Sequence, residues 1–422
     1  MRTKTNQAGL THNIVIFIIL CLCIIVIGYR VHARLAMVAP SQSGSSAAYT
    51  PAGPTGFVHE SGRQLLDGNN APLKVKGVDA GGWLEWEGWM WGKGLDYIGQ
   101  TAMMSNLTSL VGSSRAQQFQ TDVETNYISQ ADFTAMAADG LNVVRIPFNY
   151  TMLYTSQNTF KASGWSILDT AMAEARQAHV YVVPVMQEAP CGQSKLFFAG
   201  YTGGPTLWQS GECQNNTIAI WKAIAARYSN EPTILGYDLL GEPNTTNTQL
   251  VAFYKQLTTA IRQVDKNHVI IYEGNDFARK FSLFNGRLDN NQMLSFHAYA
   301  WRNNISAKLA QFDPYASSQD SPLYVGEYGQ ALYSELSQYE KAFANDSNVA
   351  GYTMWTWKQV HELPSAQYIN ETADSQKLID WMNNTSRSKP SAAEAEQGMN
   401  DFINSIKYQN TTADQLTKHL LQ

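Results

Sequence analysis

Val180-Tyr-Val-Val-Pro-Val185 and Ile234-Leu-Gly-Tyr-Asp-Leu-Leu240 are two short apolar runs, with a helical pattern from Ile218 to Tyr228 between them. Neither run alternates strictly between polar and apolar residues. Each therefore reads as a strand covered on both faces. Two such strands joined through a helix form a parallel strand-helix-strand unit. The pattern continues in both directions. Lys74 to Val78 and Val143 to Pro147 precede it, and Val269 to Tyr272, Met293 to Phe296, Leu323 to Val325 and Gly351 to Trp355 follow. Helical patterns from Ser166 to Gln177, Gln249 to Val264 and Ser334 to Phe343 fall between these runs. Eight strand-like runs in this length predict an α/β chain folded as a closed (β/α)8 TIM barrel rather than an open sheet. No Gly-rich phosphate loop follows any run; Gly88 to Lys93 has the wrong spacing and lacks a Ser or Thr.

The bulk composition agrees with a large covered core. Of 422 residues, 44% are hydrophobic and only 15% are charged, with a formal net charge of −5. No basic block stands out, which excludes a nucleic-acid partner on electrostatic grounds. The polar surface must consist largely of uncharged side chains, a composition suited to neutral sugars.

Arg2 and Lys4 precede an unbroken apolar run from Ile14 to Ile27. The run is short for a spanning helix of about 20 residues, and reaches the lower edge of the range through Gly28 and Tyr29. Val31-His-Ala33 offers a small-residue cleavage site, while Arg30 and Arg34 favour retention as an anchor. Residues 1–36 are thus expected to be a cytoplasmic stub with a transmembrane or signal segment. Either form places the remainder outside the cytoplasm, membrane-anchored or secreted. Residues 37–56 are rich in Ser, Ala, Pro and Gly and read as a flexible linker. Residues 57–390 are assigned to the barrel and 391–422 to a C-terminal helical extension; no repeat or second domain is visible, and a monomer is expected.

Cys21 and Cys23 lie within the apolar run, leaving Cys191 and Cys213 as the pair in the exported part. An oxidising compartment favours a disulfide between them; two free buried thiols are the alternative. Several Asn-x-Ser/Thr sequons, including Asn106, Asn215 and Asn304, would matter only in a eukaryotic source.

Active sites of such barrels lie at the C-terminal ends of the strands. There the sequence places Asp79, Arg145, Gln187-Glu188, Glu242, Glu273 to Asn275, His297 to Tyr299, Glu327 and Trp355. Glu242 and Glu327 follow the fourth and seventh runs, on opposite sides of a barrel mouth. Two carboxylates flanking a scissile bond are what glycoside hydrolysis requires. Each residue also has a plainer reading: a solvated Glu, a structural ion pair for Arg145, a core histidine at His297, or core filling by Trp355 and Trp357. Trp83, Trp86, Trp89 and Trp91 crowd one loop, where they could stack on sugar or pack inside. The His residues occur singly, so no metal and no cofactor is implied.

From Lys76 to Lys358 the chain resembles glycoside hydrolase family 5, a clan that includes cellulases, mannanases and exo-β-1,3-glucanases. The carriers, in order, are Gly77-Val-Asp-Ala-Gly-Gly-Trp83-Leu, Gly140-Leu-Asn-Val-Val-Arg145-Ile-Pro, Gly236-Tyr-Asp-Leu-Leu-Gly-Glu242-Pro, Ser295-Phe-His297-Ala-Tyr299, Val325-Gly-Glu327-Tyr-Gly and Gly351-Tyr-Thr-Met-Trp355-Thr-Trp-Lys358. The resemblance implies retaining hydrolysis of a β-linked poly- or oligosaccharide, with Glu327 as nucleophile and Glu242 as acid/base. It also implies a substrate-binding set of Arg145, Gln187, Gly241, His297, Tyr299 and Trp355. In it Arg145 and Tyr299 serve Glu327, His297 contacts sugar or orients Glu242, and Trp355 forms the floor.

Two positions depart from the family. Gly241 stands where Asn normally precedes the acid/base, and Gln187 where His normally ends the third strand. Loss of the Asn side chain suggests room beside the sugar's C2, for an acetamido group or an axial hydroxyl; the alternative is that a water or a neighbouring side chain replaces the Asn and the substrate is an ordinary β-glucan. The rival reading is a catalytically weak or inactive membrane-tethered glycan-binding protein.

Overall fold

The computed structural model describes residues 56–422 apart from 93, 95, 157–158, 246–247, 300–303 and 361–363. The expected membrane or signal segment and nearly all of the expected linker lie outside the described residues. Among the described residues, no helix is long and apolar enough to cross a membrane.

The expected strands form. They are β1 (Val75–Asp79), β2 (Val143–Asn149), β3 (Tyr181–Glu188), β4 (Gly236–Asp238), β5 (Val269–Glu273), β6 (Gln292–Ala298), β7 (Leu323–Gly329) and β8 (Val349–Trp355). They close in chain order into one barrel, with β8 pairing back to β1. Every neighbouring pair is parallel. Helices Ala162–Ala178, Gly211–Tyr228, Gln249–Arg262 and Tyr333–Asn345 occupy the predicted intervals.

The apolar run at 234–240 gives a shorter strand than its composition suggests. Past Asp238 the Leu239 N–H still donates to Ile271 O of β5, at 3.2 Å, but the regular ladder stops. The Gly241 N–H donates to Met186 O at 2.9 Å, and the Glu242 N–H to a Glu273 carboxylate oxygen at 2.5 Å. At Glu242 a side-chain acceptor stands where a neighbouring strand's carbonyl would be, and the backbone pairing ends there.

Side chains toward the N-terminal strand ends, among them Val75, Val143, Val269 and Tyr324, cluster with Val58 and with Leu65 of the small antiparallel sheet that follows it (residues 59–73). A larger cluster fills the space among strands, helices and upper loops. In it Trp83, Trp86 and Trp91 are buried, so three of the four crowded tryptophans pack inside. Helices Ala373–Asn383 and Ala392–Ser405 pack on each other and on Gln100–Val111. Buried Lys358 ties the end of β8 to the helix over 130–138 through Asp132, at 2.7 Å.

The expected disulfide is present. Cys191 and Cys213 are bonded, with Cα atoms 6.0 Å apart, inside the usual span for such a bridge. It fastens the loop after β3 to the start of the helix over 211–228.

Candidate active site

Arg145 is the buried hub of the barrel mouth. Its guanidinium donates to Asp79, Glu273 and Glu327 at 2.8 Å each, and to Asp238 at 3.1 Å. These carboxylates come from β1, β5, β7 and the end of β4. One cation therefore fixes four strand ends at a single height. Arg145 has no exposed surface, so it meets the mouth through Glu327 rather than directly.

The approach of Glu327 depends on Gly326. The β7–β6 register slips between Val325 and Glu327, leaving Gly326 as the extra residue. A Cβ at Gly326 would stand 2.5 Å from Ser295 Oγ and 3.2 Å from His297 Nε2, so only glycine fits. The slip turns Glu327 toward the mouth. There Tyr299 donates its hydroxyl to Glu327 Oε2 at 2.8 Å.

Glu242 sits at φ +47°, a left-handed conformation unfavourable for a glutamate and characteristic of functional positions. Its bond to the Glu273 carboxylate holds it there. His297 bridges Glu242 and Glu327: Nδ1 lies 2.8 Å from Glu242 Oε1 and 3.4 Å from Glu327 Oε2, while Nε2 lies 3.2 Å from Glu273. Burial disfavours a charged imidazole, but the carboxylates of Glu273 and Glu327 and the bonds to Glu242 and Glu273 outweigh it, raising the ring's pKa well above its ordinary value. Burial raises the Glu242 pKa, against the lowering effect of His297 and with help from the Glu327 and Glu273 charges. Burial also opposes ionisation of Glu273, yet His297, Arg145 and the Glu242 N–H bring its pKa below the usual range. Burial pushes Asp79 up to about 7, with the Arg145 charge opposing.

One ligand atom each of Glu242, His297 and Glu327 lies within 4.8 Å of the others, which is compact enough for a metal ion. The His297 ring, with Nδ1 2.8 Å from Glu242 Oε1 and 3.4 Å from Glu327 Oε2, already occupies the space between the two carboxylates.

Trp355 ends β8 as a buried side chain. Gly81 makes room for its ring, since a Cβ there would fall 2.6 Å from it. Its indole N–H is buried without a partner among the described residues. Gln187 and Gly241 are coupled in a way the sequence does not reveal. A Cβ at Gly241 would lie 2.1 Å from Gln187 Oε1. The Gln187 side chain thus occupies the room vacated at 241, which overturns the expected pocket for a C2 substituent. Gln187 Oε1 itself has no hydrogen-bond partner among the described residues.

Sequence reasoning missed an acidic wall formed by Glu85, Glu87 and Glu188. All are buried, and burial together with the neighbouring carboxylates raises their pKa values well above normal. Glu87 accepts from Trp89 Nε1 at 2.6 Å, and Glu188 from Asn149 at 2.7 Å. Glu188 stands at the end of β3 in the sequence, but Glu85 and Glu87 lie in a loop where spacing carries no signal. Glu273 and Asp79 were visible as strand-end residues, but their part in holding Arg145 and Glu242 was not.

Residues 107–361, more than half of the chain, match the family model for cellulase (glycosyl hydrolase family 5). The chain belongs to glycoside hydrolase family 5. It is 27% identical over 270 residues to a β-xylosidase of Phanerodontia chrysosporium, covering 62% of this chain and 55% of the relative. A probable glucan 1,3-β-glucosidase A of Aspergillus fumigatus is 27% identical over 61% of this chain and 65% of its own length. The chain therefore spans between half and two thirds of these relatives. Among solved structures, an endogalactoceramidase matches at TM-score 0.54 and 17% identity, covering 83% of this chain and 85% of that one. A rutinosidase from Aspergillus niger matches at TM-score 0.53 and 17% identity, covering 69% and 92%. At such identities these two matches speak for the fold alone.

Proposed function

We propose that this chain is a retaining β-glycoside hydrolase acting on a β-linked glycan outside the cytoplasm. The observation that carries the reading is the opposition of Glu242 and Glu327, with oxygens within 4.8 Å of one another. Retention needs carboxyl groups about 5–5.5 Å apart, whereas inversion leaves room for a water at about 6.5–9.5 Å.

The environments support distinct roles for the two. Glu327 accepts from Arg145 and Tyr299, so it offers lone pairs to an anomeric carbon. Glu242, raised by burial, carries the proton for the leaving oxygen. Attack by Glu327 breaks the glycosidic C–O bond as Glu242 gives up its proton, leaving a glycosyl ester. Water then attacks the same carbon, returns a proton to Glu242 and frees Glu327 as carboxylate. His297 lies between the two and steadies both charges. Trp355 supports the sugar from below. The names of the fungal relatives favour a neutral β-linked glucose or xylose unit as the glycone.

A second reading keeps the cleft without turnover, as a membrane-tethered binding protein. The departures at Gly241 and Gln187 favour it. One experiment separates the two: a panel of aryl β-glycosides and β-glycans given to wild type and Glu327→Gln, with the first-formed anomer followed by NMR. Turnover that is lost in the variant, with the β-anomer appearing first, supports hydrolysis with retention. A first-formed α-anomer sinks retention, and equal inactivity of both proteins leaves the binding protein.

A further inference from the structure

We infer that Glu273 is a positioning residue for the acid/base: one carboxylate oxygen holds the Glu242 backbone, and the other acts through the His297 ring to keep the acidic proton of Glu242 on Oε2. This rests on the roles proposed above for Glu242 and Glu327.

Glu273 ends β5 and has no exposed surface. Its Oε2 accepts from the Glu242 N–H at 2.5 Å, and its Oε1 accepts from Arg145 Nη2 at 2.8 Å. A protonated carboxyl would need an acceptor of its own, and both of these partners are donors. Glu273 is therefore an anion. His297 Nε2 lies 3.2 Å from the same Oε1, so that nitrogen carries a hydrogen and donates it. The bond to the Glu242 N–H does more than satisfy a donor. Residue 242 stands at φ +47°, a left-handed value that a glutamate keeps only when its surroundings hold it there.

The other ring nitrogen decides where the proton of Glu242 sits. Nδ1 lies 2.8 Å from Glu242 Oε1 and 3.4 Å from Glu327 Oε2. A bare Nδ1 would draw the Glu242 proton onto Oε1, turned to the ring and away from a leaving group. A protonated Nδ1 donates to Oε1 instead and leaves the acidic proton on Oε2. The groups around the ring favour the second arrangement. Glu242 after β4, Glu273 on β5 and Glu327 on β7 face it, and Asp79 on β1 and Asp238 on β4 also feel its charge. Arg145 on β2, bonded to Asp79, Asp238, Glu273 and Glu327, is the opposing cation. Burial works against a charged ring, and the Glu273 carboxylate leads the groups that outweigh it. The Glu242 side chain keeps 15% of its surface open, against 1% for His297, which leaves Oε2 as the oxygen turned to the mouth. During cleavage the proton passes from Oε2 to the glycosidic oxygen as the C–O bond breaks, and the ring keeps both of its hydrogens. In the second step Oε2 takes a proton from the attacking water.

Glu273→Gln keeps the size of the side chain and removes its charge. General acid catalysis contributes about 10²–10⁴-fold, and only to a leaving group that needs a proton. On a glycone that the full chain cleaves, the variant should lose about a hundredfold or more in kcat/KM with the phenyl β-glycoside. With the 2,4-dinitrophenyl β-glycoside, whose phenolate leaves unprotonated, it should lose less than about tenfold. Equal losses on both substrates would make Glu273 a structural residue only and overturn the inference, as would no loss on either. The ring itself is read by 15N NMR of histidine-labelled protein, with His297→Gln assigning the signal. Wild type at pH 7 should show two protonated nitrogens at His297, and a bare Nδ1 overturns the inference even if Glu273→Gln does not fold. In the folded variant the proton affinity of the ring should fall about tenfold or more, and an unchanged midpoint overturns the role of Glu273. If wild type cleaves no aryl glycoside, the hydrolase reading fails separately, and the ring titration still decides the inference.

Discussion

Replacing Gly241 by Ala tests whether Gln187 has taken the space of a missing side chain. The ideal Cβ at 241 would sit 2.1 Å from Gln187 Oε1, 2.8 Å from Cδ and 3.2 Å from Cα. The first two atoms belong to a side chain and could swing aside. Gln187 is only 3% exposed, however, so it has little room. Overpacking of this kind costs about 1–3 kcal/mol. The φ of Gly241 is not among the positive values, so Ala meets no backbone penalty there. With Gln187→Ala in place, the two side-chain contacts vanish. Gly241→Ala should then be neutral or stabilise by about 0.4–1 kcal/mol, through a stiffer unfolded chain. The difference is a coupling of about 2 kcal/mol between residues 187 and 241. Urea unfolding of the four proteins, compared at constant m-value, measures it. If the single changes add to within about 0.5 kcal/mol, the two sites are independent and the space-swap reasoning is wrong. The same logic predicts that Gly241→Asn alone is harmful, while Gly241→Asn with Gln187→His folds like wild type.

The other expectations concern charge and covalent structure. Because Glu242 acts in its protonated form and burial raises its pKa, turnover should decline as pH rises through that raised value; in a kcat/KM profile, a basic limb that survives Glu242→Gln on an activated aryl glycoside would assign the limb elsewhere. Asp79 is pushed up from 3.8 to about 7, mainly by burial, so the folded state holds its proton more tightly than the unfolded chain. That stability is complete below about 4 and is lost as pH rises through about 7; urea midpoints should fall between pH 5 and 7.5 in wild type and fall less in Asp79→Asn. Arg145→Met should destabilise by about 3–5 kcal/mol, since it strands buried carboxylates; a melting temperature close to wild type would show that these acids are neutral and the hub is not ionic. Cys191→Ser should cost about 3 kcal/mol, given a sequence separation of 22, and thermal unfolding that is unchanged by the substitution would count against it.

What could be read from the sequence, and what could not, divides along one physical line. Runs such as Val180 to Val185 declare themselves because burial on both faces demands continuous apolar residues, and that demand is written locally. Glu242 and Glu327 could be placed at the mouth because each follows a strand end, and strand ends share one rim. The disulfide followed from compartment and number. The extent of β4 could not be read, since Leu239 and Leu240 are as apolar as a strand requires and the Glu273 carboxylate that receives the Glu242 N–H lies 31 positions on. Burial of Trp83, Trp86 and Trp91 was equally hidden, because a tryptophan in a loop looks the same whether it faces sugar or core. Pairings across the barrel leave still less trace. Gln187 and Gly241 are 54 positions apart, and each reads alone as a lost family residue. Only the meeting of Oε1 with the empty side of residue 241 shows one change filling the space left by the other. Glu85, Glu87 and Glu188 follow the same rule. A carboxylate in a loop reads as solvated, and it becomes a buried acid only when the loop after β1 folds against the end of β3. The parts of the site that sequence under-reports are therefore contacts between loops, where residue type carries no periodicity and burial is decided by distant chain.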